Sequence, residues 1–419
     1  MPTRKQQFEP RVTVVGGGIV GICSALSLAE AGVQVRLIDR DAPGQGASHG
    51  NAGVIGPGCV LPNAMPGLWR DLPKMLLRSD GPLHLRAGYL PRFIPFGVKF
   101  LLQSRAARVR EVASAMEFLN RGNLDIYRRH LAGTGQEGLI CDSYFIHATR
   151  NPAKVRESAL ERELHAQFGI ETEVIGAAEL RALEPALATD FQGAVVMKGQ
   201  GRSLSPGRVG TALADKFRAM GGEILQADVL RLFPNEQDGW HISTSQGDMH
   251  APKVVLSAGA WSARLLQPLG IDLPLEGERG YHAFFSGAAV QVNHSVMDND
   301  LKVVASCMAS GVRVAGTAEF SGLDHPPSDK RRKLVIAGAR RMLPDLRDAQ
   351  ARSWSGLRPT LPDSLPVLGE IKGLPGLVGA FGHSHWGFMM APRTGQIVAE
   401  LVQGKPVNAD LSPYRSVRF

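Results

Sequence analysis

Cysteine is scarce in this chain. Cys23, Cys59, Cys141 and Cys307 are the only four in 419 residues, far apart and in no CxxC or Cys/His cluster. That argues against a disulfide framework and a metal site, and fits a reducing cytoplasm. Charged residues make up 21% and hydrophobic ones 44%, a balance that excludes a charge-rich disordered chain and supplies a sizeable core. The 48 glycines follow no triplet period, so a collagen-like rod is excluded. Internal repeats and low-complexity tracts are missing too. Nor is there a run long and apolar enough to span a bilayer. Residues 12–29 carry no charge and follow Arg4, Lys5 and Arg11, much as a signal peptide would. Gly16, Gly17, Gly18 and Gly21 interrupt that stretch and make it a strand–turn–helix instead. The net charge of +8 admits anionic partners, but no nucleic-acid-binding module accompanies it.

What is present begins with rapid alternation. Residues 11–15 form a buried-strand pattern, 16–21 a tight turn, and 22–31 a helix stopped by Gly32. Residues 33–38 are a second β-branched strand, ending at Asp39. This βαβ unit implies a parallel sheet. Prolines 62, 66, 73, 82, 91 and 95 then break the chain, followed by a long polar helix over 106–129. Short strands alternate with helices through 139–200, including a helix over 153–168. A helix over 206–220 has Ser205 near its N-cap, and a hairpin over 229–232 and 240–244 precedes a strand at 253–257. Residues 280–320 are strand-rich, and helices are expected at 330–343 and 394–402. The length suits two domains, and the mixed order suggests that they interleave.

The turn Gly16-Gly17-Gly18-Ile19-Val20-Gly21 matches GxGxxG. Gly16 allows the tight turn, Gly18 lets backbone approach a diphosphate, and Gly21 lets helix and strand pack closely. The helix N-terminus offers unpaired N–H groups to that anion. Asp39 follows Gly21 by 18 residues, where a carboxylate can accept ribose hydroxyls. The motif does not separate NAD from FAD.

Four further segments resemble the D-amino-acid oxidase-like FAD-dependent oxidoreductases, most closely the bacterial D-amino-acid dehydrogenases. They are residues 47–55 (ASHGNAGVI), 255–262 (VLSAGAWS), 354–363 (WSGLRPTLPD) and 382–390 (GHSHWGFMM). The resemblance runs over residues 11–404. It implies a Rossmann-like α/β FAD-binding domain (1–60, 195–265, 345–419). An α+β substrate domain (61–194, 266–344) with a large mixed or antiparallel sheet would interleave with it. It implies hydride transfer from an amino acid's α-carbon to flavin N5, the protein supplying position and electrostatics.

By the same resemblance, Gly16, Gly18, Ile19, Val20, Gly21, Asp39, Arg40 and Val229 would hold the ADP half. Ala258, Gly259 and Trp261 would close against it, and Ser48, Asn51, Ala52, Gly53 and Val54 would wrap the flavin. Backbone amides of Gly387, Phe388 and Met389, after Gly382, would face flavin N1 and O2. Arg358 would clamp the substrate carboxylate, since a guanidinium pairs with it through two hydrogen bonds. Tyr281, next to Gly280, would line the pocket or bond the carboxylate, or simply pack. His383 and His385 could tune the flavin or take the amine proton, or bond to backbone, and His49 could reach the same pocket from the flavin loop. With no cysteine after Cys307, FAD would be bound non-covalently.

The expected substrate is a small-molecule D-amino acid or a cyclic imino acid such as D-proline or hydroxy-D-proline. Electrons would pass to a respiratory quinone or another carrier. Three alternatives stay open: an O₂-using glycine- or sarcosine-type oxidase, an NAD(P)-dependent dehydrogenase, and a non-catalytic flavin-binding subunit. Residues 66–110 hold nine Lys/Arg against Asp71 and Asp80, mixed with Trp69, Leu72, Met75-Leu76-Leu77, Leu90, Phe93-Ile94, Phe96 and Phe100-Leu101-Leu102. Apolar side chains beside cations suit a peripheral contact on the cytoplasmic face of a membrane, the alternative being a proline-rich, solvated part of the substrate domain.

Overall fold

A computed structural model describes residues 10–70, 81–235 and 239–419. Two sheets organise the chain, and their strands alternate along it. The first has six strands. Its centre, Val12–Val15, pairs in parallel with Val35–Asp39 on one side and Lys253–Leu256 on the other. Glu223–Gln226 extends it beyond Val35–Asp39, Leu377–Phe381 beyond Lys253–Leu256, and antiparallel Val367–Glu370 closes the edge.

Both faces of Val12–Val15 are buried, which is why its sequence is a continuous β-branched run and not an alternation. Helix Ile19–Glu30 covers the sheet and packs against helix Gly387–Val402. Their closest approach needs Gly395, where a Cβ would stand 2.5 Å from the Cys23 carbonyl oxygen. A three-stranded antiparallel sheet, Val229–Pro234, Trp240–Thr244 and Gly247–Ala251, extends the expected hairpin by one strand.

The second sheet is large and mostly antiparallel. Its path runs Arg352–Thr360, Glu276–Ser286, Gly311–Phe320, Val303–Met308, Ser295–Asp298, Ile140–Thr149, Gly193–Ser203 and Val54–Ile55. Strands Gly193–Ser203 and Arg352–Thr360 hydrogen-bond here, although the sequence groups most of them with the nucleotide-binding segments. They cross between the two layers, and periodicity alone cannot say to which sheet a strand bonds. The two largest buried clusters are distinct. One lies around Ile19, Ile22 and Leu26 with Phe388 and Met390, although it also takes in Val54, Ile140, Phe145 and Met197 of the large sheet. The other lies around Ile146, Val196, Tyr281 and Phe285.

Several helices differ from expectation for local reasons. The long helix expected at 106–129 is two, Ala106–Asn120 and Asn123–Leu131, because Gly122 adopts φ 72°. The helix expected at 153–168 starts only at Ala159, where Ser158 and Glu161 form a reciprocal cap. The C-terminal helix begins seven residues early, at Gly387. An unexpected helix, Leu90–Leu102, tolerates Pro91 in its first turn, where the missing N–H has no intrahelical partner anyway.

Candidate functional site

The glycine turn at the end of Val12–Val15 is built for close backbone approach. Gly16 has φ 109°, and a Cβ there would lie 2.4 Å from the Ser257 carbonyl oxygen. At Gly21 a Cβ would fall 1.8 Å from the Gly16 oxygen. Gly18 differs: a Cβ would meet only Ser48 Oγ, at 3.8 Å, so open space lies before the helix N-terminus. Ile19 N–H donates to Ser48 Oγ at 3.1 Å, and the helical ladder starts with Ile22 N–H to Gly18 O. The amides of Val20 and Gly21 are left as donors of that first turn. This cradle fits a diphosphate.

Asp39 stands at its rim, accepting from the backbone N–H groups of Gly17 and Asp41. Burial pushes its carboxyl up, against those two hydrogen bonds. Arg40 lies over the Trp261 ring at 4.4 Å and reaches toward Asp228, the neighbour of Val229. Asp39, Arg40, Val229, Trp261 and the Ala258-Gly259 turn therefore gather on one side of the cradle.

The 47–55 loop crosses from the first sheet to the second. Asn51 Oδ1 accepts from Gly53 N–H at 2.7 Å. Gly53, at φ 82°, leaves no room for a Cβ beside the Ser203 oxygen, 2.5 Å away. Arg313, which sequence reasoning missed, donates through Nη1 to the carbonyls of His49 (3.1 Å) and Asn51 (2.7 Å) and ties the loop to the large sheet. Ala52 is half-buried beyond it, and Val54 enters the sheet.

At the other end, Leu377–Phe381 passes through Gly382 (φ 87°) into the C-terminal helix. Trp386 N–H takes the His383 carbonyl and Met390 N–H the Trp386 carbonyl. The amides of Gly387, Phe388 and Met389 are thus the orphan donors of a helix start, aided by its dipole. Cradle and orphan amides are two sets of unpaired backbone donors at helix starts, each suited to negative charge on a ligand.

The antiparallel pair Glu276–Ser286 and Arg352–Thr360 builds a second region. Its register sets Glu278 opposite Arg358, Gly280 opposite Gly356, and His282 opposite Trp354. Strand alternation puts these six on one face. The two glycines leave the floor bare, and long side chains lie flat across it. A Cβ on Gly280 would meet Arg358 Nη2 at 2.3 Å, and one on Gly356 would meet the Trp354 ring at 2.3 Å.

Arg358 Nη1 donates to Glu278 Oε1 (2.7 Å) and to the Thr317 carbonyl (3.1 Å). Thr317, β-branched yet at φ 57°, sits where the neighbouring ladder shifts register, and that bulge turns its carbonyl toward Arg358. Among the described residues no protein acceptor faces Arg358 Nε and Nη2. A guanidinium with one nitrogen anchored and its two-pronged edge free is shaped for a carboxylate.

Glu278 was not legible as a site residue, and it is the hub of this region. It is almost fully buried. His385 Nε2 donates to its Oε1 at 2.6 Å, beside Arg358, and Thr360 Oγ1 donates to Oε2 at 3.0 Å. Burial alone would push its carboxyl up, but the charges and hydrogen bonds of His385 and Arg358 outweigh it and bring it down to about 2. Little in the sequence signals it, because Glu278 lies in the polar run Glu276-Gly277-Glu278-Arg279-Gly280, and only its burial in the folded strand demands a partner.

His282 stacks on Trp354 at 5.1 Å and contacts the Gly50 carbonyl through Nδ1. Burial, then Arg313, holds it neutral, with its ring down to about 3. His49 joins them, with Arg313, Arg352 and Met308, around a cavity of about 250 Å³ further along the same sheet.

Two expected residues lie elsewhere. Tyr281 is one position out of phase with Gly280 and faces the opposite side of the strand. There it is 1% exposed, donates to Glu319 and accepts from Ser328 N–H. It does not reach Arg358. His383 is likewise buried, shares a hydrogen bond with Thr394 Oγ1 at 3.0 Å, and is held neutral by burial, down to about 3. Of the three histidines, only His385 touches the Arg358 group directly.

A family profile described as "FAD dependent oxidoreductase" matches residues 11–401. A D-amino-acid oxidase of Bradyrhizobium diazoefficiens is 34% identical, the match covering 97% of this chain and 98% of that protein. A D-amino acid dehydrogenase of Paramagnetospirillum magneticum is 32% identical over 94% of this chain and 96% of its own. Among solved structures, glycine oxidase from Geobacillus kaustophilus superposes with a TM-score of 0.73 at 22% identity, covering 99% of this chain and 100% of that one. L-proline dehydrogenase from P. horikoshii gives 0.74 at 20% identity, with 98% of each chain covered. These two share the fold.

Proposed function

Because the chain belongs to the FAD-dependent oxidoreductase family, we propose that it oxidises D-amino acids, cyclic imino acids such as D-proline among them, and passes the electrons to a respiratory quinone or carrier. The observation that carries this reading is the free Nε/Nη2 edge of Arg358, held over the bare Gly280 floor by Glu278 and the Thr317 carbonyl. Such an edge selects a carboxylate, and the indole of Trp354 gives an apolar surface on the same floor. FAD, bound non-covalently, supplies the two-electron acceptor for the hydride leaving the α-carbon. The imine product hydrolyses to a 2-oxo acid and ammonia, or stays cyclic for a proline-like substrate.

The residues of this chain bind and orient. In this reading the cradle at Gly16, Gly18 and Gly21 with Asp39 holds the ADP half, and the amides of Gly387, Phe388 and Met389 meet negative charge on the ring. Glu278 balances Arg358, so the pocket accepts a zwitterionic substrate without gathering net positive charge. His385, bonded to Glu278 and partly exposed, is placed to exchange the amine proton with solvent.

The test is anaerobic bleaching of the flavin by a panel of D- and L-amino acids, with Arg358→Ala and Arg358→Lys beside the wild type. Losing the fork removes two charge-assisted hydrogen bonds, so KM should rise roughly 10²–10³-fold in both variants. FAD should stay bound, and Arg358→Lys still neutralises Glu278. An unchanged KM would sink the clamp. A yellow protein that no amino acid bleaches would sink the activity. O₂ consumption without dye reduction would favour the oxidase reading over the dehydrogenase.

A further inference from the structure

Helix Leu90–Leu102 carries apolar side chains on both faces, and only one of them is covered. Phe93 and Phe96 pack on Phe320 at 4.7 and 5.8 Å, and Phe96 stacks on Phe100 at 5.9 Å. That cluster anchors the helix to the protein. On the other side Leu90, Ile94, Val98 and Leu102 are 46–54% exposed, spaced by four residues into one continuous stripe. Trp69, 61% exposed, stands beside it across a groove of about 530 Å³ lined by Pro66, Val98, Leu101 and Leu102. Four large apolar side chains in a row are unlike the scattered exposed residues of an ordinary surface.

The charges around the stripe say what covers it. The helix sequence LPRFIPFGVKFLL contains no acid. Arg92 and Lys99, seven residues apart, align along its border, and Arg70, Arg86 and Arg105 flank its ends. Arg108 and Arg110 are engaged by Glu111 and Glu163, whereas among the described residues these five cations form no ion pair. Lys74, Arg78, Leu72 and residues 75–77 of the same basic segment lie outside the described residues. A protein partner would need an acidic rim around an apolar groove. A bilayer supplies that complement uniformly, as acyl chains below anionic headgroups.

We propose that Leu90–Leu102 is an interfacial helix that docks the enzyme onto an anionic lipid surface. It inserts Leu90, Ile94, Val98, Leu102 and Trp69 among the acyl chains, while Arg92 and Lys99 stay at headgroup level. Thirteen residues reach about 20 Å, short of a bilayer's hydrocarbon core, and no helix of the described residues is long and apolar enough to cross one. The helix lies in the interface. The inference stands on this surface and not on the substrate assignment.

The test is co-sedimentation of the full-length holoenzyme with phosphatidylcholine vesicles, with and without about 30 mol% phosphatidylglycerol. The comparison variants are Ile94→Glu/Val98→Glu and Arg92→Gln/Lys99→Gln. Arg92, Ile94 and Val98 are exposed, Lys99 is half-buried with its ammonium 5.9 Å from the Phe419 ring, and all four lie away from the flavin cradle, so flavin content and unfolding midpoint should match the wild type. The wild type should pellet with the anionic vesicles and be released by salt. The glutamate pair should weaken binding at least tenfold, and each cation removed should weaken it about fivefold. Wild type remaining in the supernatant with both vesicles would overturn the proposal. So would an unchanged glutamate variant. A dimer in light scattering that the glutamate pair dissociates would also overturn it, since a second copy would then cover the stripe.

Discussion

Replacing Glu278 by Gln should be among the most costly single changes in this protein. The carboxyl is 3% exposed and sits against Arg358 and His385. Its ordinary value of 4.5 falls to about 2, and at 1.36 kcal/mol per unit that is about 3 kcal/mol of stability at neutral pH. The sign follows from the direction. A lowered carboxyl stabilises the fold above 4.5, and that contribution disappears as pH falls toward 2. Between pH 7.5 and pH 4 the wild type should lose about 1 kcal/mol through this group, and most of the remainder below pH 4.

Gln keeps the shape but removes the charge, leaving a guanidinium beside a neutral amide in a desolvated site. Urea unfolding followed by tryptophan fluorescence is the assay. For a slope of about 3 kcal/mol/M, the midpoint of Glu278→Gln should lie roughly 1 M below wild type at pH 7.5. The gap should narrow at pH 4, because the other carboxylates titrate alike in both proteins. Equal midpoints at pH 7.5, or a gap that does not change with pH, would refute the ion-pair account.

Two further changes probe the pocket and the buried histidine beside the C-terminal helix. Gly280→Ala places a methyl group 2.3 Å from Arg358 Nη2, at the end of a flexible side chain, so the protein should fold and keep its FAD. The fork must swing aside, and KM for the amino acid should rise about tenfold or more, with kcat less affected; an unchanged KM would show that the fork does not meet the substrate. His383→Asn removes a buried neutral ring whose ionisation lies near 3, far below the working range. It should cost about 1–2 kcal/mol of stability through the lost Thr394 bond, while the inflections of the kcat/KM pH profile between 5 and 9 stay in place. A shifted inflection would return His383 to proton transfer.

Local chemistry made one half of the site legible. A tight turn at Gly16, an open N-terminus after Gly18 and an acid at Asp39 are fixed by neighbours in the chain, because glycine φ, helix N-termini and strand ends are short-range properties. The amides after Trp386 and Arg358 within its GLRP segment were expected only through the resemblance to the D-amino-acid oxidase-like family, and the helix that starts at Gly387 was expected seven residues later. What the tertiary structure decided is whatever depends on which face of an element is covered. Glu278 and Arg358 meet through an antiparallel register spanning 80 positions. Tyr281 and Gly280 are adjacent in sequence yet face opposite layers, so a shift of one residue moved the tyrosine from the expected pocket into the core. Arg313 became a tether for the 49–51 loop only when the sheet brought it there. Helix Leu90–Leu102 carries apolar side chains on two faces, with Arg92 and Lys99 between them, and periodicity cannot choose which face is covered. Packing on Phe320 chose one, and left the other bare.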